Sequence, residues 1–84
     1  MVKVPTKVRK QAEKMPASTK AVFYQLLLDL RESPLQPAYR NYSPLGNDKY
    51  HCHLDYHWVA CWHWEKGSVF VEVYYAGSRE NAPY

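Results

Sequence analysis

KYHCHLDYHWVACWHWEKGSVFVEVYYAGSRENAPY, residues 49–84, is the stretch whose reading decides the fold. It holds three runs rich in Val, Tyr, Trp and Phe, the residues that suit a pleated, half-buried surface. Short breaks at Asp55-Tyr56 and Lys66-Gly67 separate them. Side chains along a strand point alternately to opposite faces. Tyr50, Cys52, Leu54 and Tyr56 are therefore expected on one face, and His51, His53 and Asp55 on the other. The second run, residues 57–65, carries the three tryptophans and is expected to be the central strand. Trp58, Ala60, Trp62 and Trp64 would share one face, and Val59, Cys61 and His63 the other. In the last run Val69, Val71, Val73 and Tyr75 alternate with Phe70, Glu72 and Tyr74, which predicts a strand buried on both sides. Lys66-Gly67 reads as a tight hairpin turn.

An apolar sheet face needs a cover, and the preceding residues supply one. Val22, Phe23, Leu26, Leu27 and Leu30 form a wide stripe at helical spacing, suited to packing on a sheet. Ser18 or Thr19 is the expected cap of this helix, and Pro34 ends it. Before Pro16, Val8, Ala12 and Met15 fall at i, i+4 and i+7 and predict a first helix, with Pro5 in its first turn. Lys7, Arg9, Lys10 and Lys14 surround that stripe and read as a solvated face. Residues 1–4 allow a short strand. Residues 35–47, with Pro37, Pro44 and Gly46, read as a loop. Tyr39 and Tyr42 in it are expected to anchor by burying their rings, although aromatics beside Arg40 also suit base stacking. The expected fold is α+β: one domain, residues 1–84, with two N-terminal helices packed on a small twisted antiparallel sheet.

With 84 residues, the chain can build one small core. A formal charge of +3 permits a polyanionic partner without requiring one. Two cysteines, Cys52 and Cys61, are too few for a disulfide framework. A cross-strand bridge is conceivable, but a reduced pair is the expectation. The basic start is not followed by an apolar stretch, and there is no run long enough for a membrane span. These features predict a soluble, cytoplasmic protein with no membrane association.

Two histidines at i and i+2 on a strand share a face about 7 Å apart. An ordinary imidazole has a pKa near 6.5, so one can accept a proton while another donates one. Arg79 offers a planar fork for phosphate oxygens. Tyr84 can stack on a base or donate a hydrogen bond. Base, acid and guanidinium together meet the needs of RNA cleavage by its own 2′-hydroxyl. Each also has a plainer reading: surface histidines, an Arg79–Glu80 surface pair, and a tyrosine that simply packs. His51, Cys52, His53, His57, Cys61 and His63 are dense in zinc-ligand types. Alternation turns Cys52 away from His51 and His53, and no C-x-x-C or H-E-x-x-H spacing is present. No metal and no cofactor are therefore expected.

The order helix, helix, three-stranded meander, then G-x-R and a tyrosine resembles the RelE/ParE toxin superfamily, and most of all its RelE-type branch. The resemblance runs from Pro5 to Tyr84 and rests on YHCHL, HWVACW and VYYAGSRENAPY. It implies the toxin of a type II toxin–antitoxin system, an endoribonuclease cutting messenger RNA, in many relatives on the ribosome, without metal. It also implies a partner antitoxin. His51 and His53 stand where RelE-type toxins carry two basic residues, and Arg79 and Tyr84 match the family's late arginine and tyrosine. The resemblance thus implies His51, His53, Arg79 and Tyr84 as catalytic residues. Arg40, Lys49, His57 and His63 are the candidate RNA contacts. The arginine that often opens the family's central strand is absent from His57-Trp58-Val59, so its charge would fall to His57 or Arg40. Two other readings stand beside this one: a ParE-like toxin that inhibits gyrase, and an inactive relative that only binds a partner.

Overall fold

The computed structural model describes residues 1–35 and 39–84, with the backbone alone for residues 40–44. Two helices cover one face of a five-stranded sheet. The elements run β1 (Val2–Lys3), α1 (Thr6–Ala12), α2 (Ala17–Glu32), β2 (Arg40–Gly46), β3 (Lys49–His53), β4 (Trp58–His63) and β5 (Val71–Ser78), followed by a 3₁₀ turn at Arg79–Asn81. The strand order is β1-β5-β4-β3-β2. The α+β expectation holds, with one correction: the sheet is mixed, because β1 runs parallel to β5 through Val2–Val71 and Lys3–Glu72.

The helices form where the apolar periodicity placed them. Val8, Ala12 and Met15 are buried, although α1 itself ends at Ala12 and single turns continue to Met15. Lys7, Arg9, Lys10 and Lys14 are exposed, as a solvated face requires. Pro5 and Pro16 hold the cap positions, each in extended backbone, with no side-chain cap. Thr19 is therefore not a cap. It lies inside α2, buried, and its Oγ1 donates to Asp55 Oδ2 at 2.5 Å. Phe23, Leu26 and Leu30 continue that buried stripe, with Val22 and Leu27 packed at its margins. They meet Cys52, Leu54, Ala60, Trp62, Val71, Val73 and Ala76 from the sheet. Leu26 is fully buried at 0 % exposure. Leu26→Ala is expected to cost about 2–5 kcal/mol in a denaturant melt, the range for a leucine deleted from a core; a loss under about 1 kcal/mol would mean that Leu26 is not part of the core.

The segment expected to be a loop contains a strand instead. β2 pairs with β3 along the sheet's edge, irregularly, with register shifts between Arg40 and Ser43 and between Pro44 and Gly46. An edge strand with bulges tolerates a proline that a central strand would reject. The tightest turn also lies here, not at Lys66-Gly67. Asn47 and Asp48 both have positive φ, 52° and 60°, between the paired Gly46 and Lys49, the geometry that matches the twist of two antiparallel strands. The β4–β5 connection is longer, and Val69 and Phe70 are exposed in it rather than buried in a strand. Tyr39 anchors its segment as expected, its hydroxyl donating to the Asp29 carboxylate. Burial and that hydrogen bond together push the Tyr39 phenol far above its ordinary range. The reading of Tyr42 falls on a side chain outside the described residues.

Asp55 and Tyr56 leave the sheet, because β3 stops at His53. Asp55 turns toward α2, where Thr19 and the N–H groups of His57 (2.7 Å) and Trp58 (3.0 Å) donate to its carboxylate. Burial alone would raise its pKa, but these three donors and the nearby His57 outweigh it and hold the carboxyl below its ordinary value. A group depressed in the folded state adds stability above its unfolded pKa, and that stability fades as pH falls through the folded value. Wild type should therefore exceed Asp55→Asn in stability at neutral pH, with the gap closing below about pH 4. Urea melts across that range check it; a constant gap would mean that Asp55 carries no proton-linked stability.

Candidate active site

The face opposite the helices is built by registry. His51 of β3 pairs with Cys61 of β4, and Cys61 pairs with Tyr75 of β5. One step along, His53, Val59 and Gly77 form the next row. Antiparallel partners lie on the same face, so both histidines share it, as the alternation predicted. Their rings are 5.7 Å apart, centre to centre. His51 is buried at 8 % exposure and His53 is half-buried.

A register shift in β5 changes what lies beside them. From Cys61 to Trp62 is one step on β4, but their partners Tyr75 and Val73 are two steps apart on β5. The extra residue is Tyr74. A bulge of this kind swings adjacent side chains toward one face. Tyr75 thus departs from the alternation with Val71 and Val73, which stay in the core. Tyr74 is hydrogen-bonded to the Cys61 thiol, and Lys49 Nζ sits 5.7 Å from the Tyr74 ring centre. Burial, reinforced by Cys61, pushes the Tyr74 phenol up to about 12. Tyr75 lies across Gly77, its hydroxyl donating to the Ser78 carbonyl at 2.7 Å. A Cβ on Gly77 would meet the Tyr75 hydroxyl oxygen at 2.8 Å, so only glycine leaves the ring that room.

The tail closes the site. Arg79 N–H donates to the His57 carbonyl at 2.7 Å, and the turn at Arg79–Asn81 directs the chain back across the sheet. Tyr84 then lies with its ring centre 4.4 Å from that of His51. Burial raises the Tyr84 phenol above its ordinary value, the Cys61 thiol adds to this, and Arg79 opposes it. Tyr84 is therefore an O–H donor at neutral pH, not a base. The Arg79 guanidinium lies 5.0 Å from the Tyr56 ring centre, and Tyr56 meets His57 edge-on at 5.0 Å. Tyr56 was expected on the apolar face; it is an exposed platform for Arg79 instead. Tyr56 and Tyr75 are the site residues that alternation placed on the wrong face, while Tyr74 lies on the face it assigned. The clustering of aromatics before Arg79 was the available signal.

The other expected RNA contacts divide. Lys49 and His57 border the face and are exposed. Arg40 pairs with His53 in the β2–β3 ladder, but its side chain lies outside the described residues. His63 is half-buried directly opposite Lys49, so these two lie at the same end of the sheet, away from the His53–Val59 row. The dense zinc-ligand set is divided as expected, with Cys52 in the helix-facing core. Both cysteines are buried and free, and burial pushes each thiol up to about 12. Neither is poised as a nucleophile.

No family model matches the chain, and no curated protein matches it by sequence. Solved structures do. A doubly substituted form of the E. coli toxin RelE in the free state aligns at a TM-score of 0.72 with 18% identity, over 95% of this chain and 83% of that one. The RelBE2 toxin–antitoxin complex of Mycobacterium tuberculosis aligns at 0.68 with 18% identity, over 94% and 96%. A conserved hypothetical protein of Helicobacter pylori aligns at 0.59 with 20% identity, over 95% and 94%. The chain has the RelE-type fold. Among the described residues no helix is long and apolar enough to cross a membrane.

Proposed function

We propose that this chain is the toxin of a type II toxin–antitoxin pair and cleaves messenger RNA, using His51 and His53 as an acid–base pair. The observation that carries the reading is the cluster of His51, His53 and Tyr84 on the open face of a sheet with a RelE-type fold. In the proposed step the RNA 2′-hydroxyl attacks the adjacent phosphorus. One imidazole accepts its proton, and the other, protonated, delivers a proton to the leaving 5′ oxygen. Tyr84 donates to a phosphate oxygen or stacks on a neighbouring base. Arg79, held over Tyr56, steadies the charge that builds on phosphorus. Lys49 and His57 follow the RNA strand on either side. Cleavage leaves a 2′,3′-cyclic phosphate and needs no metal.

The partner is an antitoxin, by analogy with the complex formed by the mycobacterial relative. Two features suit an extended, partly apolar segment. β2 is an edge strand, and a cavity of about 380 Å³ lies between the helices, lined by Val4, Arg9, Ala12, Phe23, Tyr24 and Leu27.

Purified protein incubated with a reporter messenger RNA, with and without ribosomes, tests the reading. Fragments ending in cyclic phosphate support it. Inhibition of gyrase without RNA cleavage would replace it with the ParE-like reading. Neither activity, with a stable partner complex, would leave a binding protein.

A further inference from the structure

At the far end of the sheet, three side chains converge that the proposed cleavage does not use. The ligating atoms of Asp48, His63 and Glu65 all lie within 4.8 Å of one another. Among the described residues this is the one group of three His, Cys, Asp or Glu side chains that does so. Their backbones are pinned independently. Asp48 occupies the positive-φ turn, and its carbonyl accepts the Trp64 N–H at 2.9 Å. His63 is held in the ladder between Lys49 and Glu72. The Glu65 carbonyl accepts the Ser68 N–H at 2.9 Å, and Trp64 Nε1 donates to the Ser68 carbonyl at 2.9 Å. Yet none of the three side chains makes a hydrogen bond or ion pair among the described residues. Two carboxylates and an imidazole are aimed at one point without satisfying one another.

We propose that Asp48, His63 and Glu65 bind a divalent transition-metal ion, clipping the β2–β3 turn to the β4–β5 connection. One imidazole nitrogen with carboxylate oxygens suits zinc, nickel or cobalt, whereas magnesium and calcium prefer oxygen alone. Ligand bonds near 2.1 Å in a tetrahedron put donors roughly 3.4 Å apart. The donors must close by about 1.4 Å at most, a movement within the rotamer freedom of exposed Asp48 and Glu65. The site is reached through an open cleft of about 370 Å³, lined by Lys3, His63, Glu65, Ser68, Phe70 and Glu72. Water completes the coordination. These ligands differ from the histidine and cysteine set that the sequence brought forward; only His63 is common to both.

The test is titration of the metal-free chain with Zn²⁺ by calorimetry, and with Co²⁺ by visible absorption. One ion per chain is expected, with a rise in melting temperature. Asp48→Asn and Glu65→Gln should each weaken binding by at least about tenfold. Both residues are exposed, and asparagine tolerates positive φ, so these variants fold. His63→Gln should abolish the Co²⁺ bands. No binding, several weak ions per chain, or one ion held equally well by both carboxylate variants would overturn the proposal. RNA cleavage in the presence of chelator is expected to persist, so failure of the clip and failure of the nuclease are read separately.

Discussion

Replacing His51 or His53 with glutamine is expected to slow RNA cleavage by about 10²–10⁴-fold, the usual worth of a positioned proton-transfer group. Glutamine keeps a hydrogen-bonding amide of similar reach but cannot shuttle a proton near neutral pH. His51 is the sharper case, since it is buried and its ring contacts both His53 and Tyr84. The wild-type rate should follow a bell in pH, because the mechanism requires one imidazole neutral and the other charged. Each single variant should lose one limb of that bell. Pre-steady-state cleavage of a short RNA, with circular dichroism to confirm folding, gives both quantities. Cleavage that survives both substitutions would remove the histidines from the chemistry.

Arg79→Ala is expected to cost about 10²–10³-fold, the scale for losing one donor to a developing oxyanion. Arg79 is exposed, so the change should leave the melting temperature nearly unaltered. Its guanidinium is not loose, however: it lies over the Tyr56 ring, while its own N–H fixes the turn to His57. Arg79→Lys keeps the charge and loses the planar fork, so it should recover only part of the rate. Tyr56→Ala should then impair the arginine enzyme more than the lysine one. Single-turnover rates at saturating RNA measure these effects. Equal rates for wild type and Arg79→Ala would leave the guanidinium without a role in cleavage.

Much of this arrangement was legible in the sequence, for identifiable reasons. Strict alternation gave the face shared by His51 and His53 and the core face of Cys52, Ala60 and Trp62. The helical stripe through Phe23, Leu26 and Leu30 gave the cover. Alternation says nothing about where a strand stops, and so it misplaced Asp55 and Tyr56. It also assumes one residue per step, and so it misplaced Tyr75, which follows the extra residue. β2 was hidden because RNYSPLG lacks a strand's composition; its pairing comes from the turn at Asn47-Asp48 and from an edge where Pro44 is tolerated. Thr19 looked like a cap because its residue type favours one, but tertiary contact with Asp55 won. The approach of Tyr84 to His51 depends on a turn at Arg79, which no periodicity encodes.

The supernumerary residue in β5 has a consequence for how this protein can change. On either side of Tyr74 the ladder is already in step, with Cys61 opposite Tyr75 and Trp62 opposite Val73. Excising Tyr74 would therefore leave a regular ladder, one residue shorter, rather than a slipped one. Insertions and deletions elsewhere in a strand reverse every following side chain. Here alone in β5 a single codon can be lost while Val71, Val73 and Ala76 keep their places in the core. The same loss would take away the phenol beside Cys61 and Lys49. Scaffold and working surface are thus separable by a one-residue deletion, and lineages carrying this sheet can trade one without forfeiting the other.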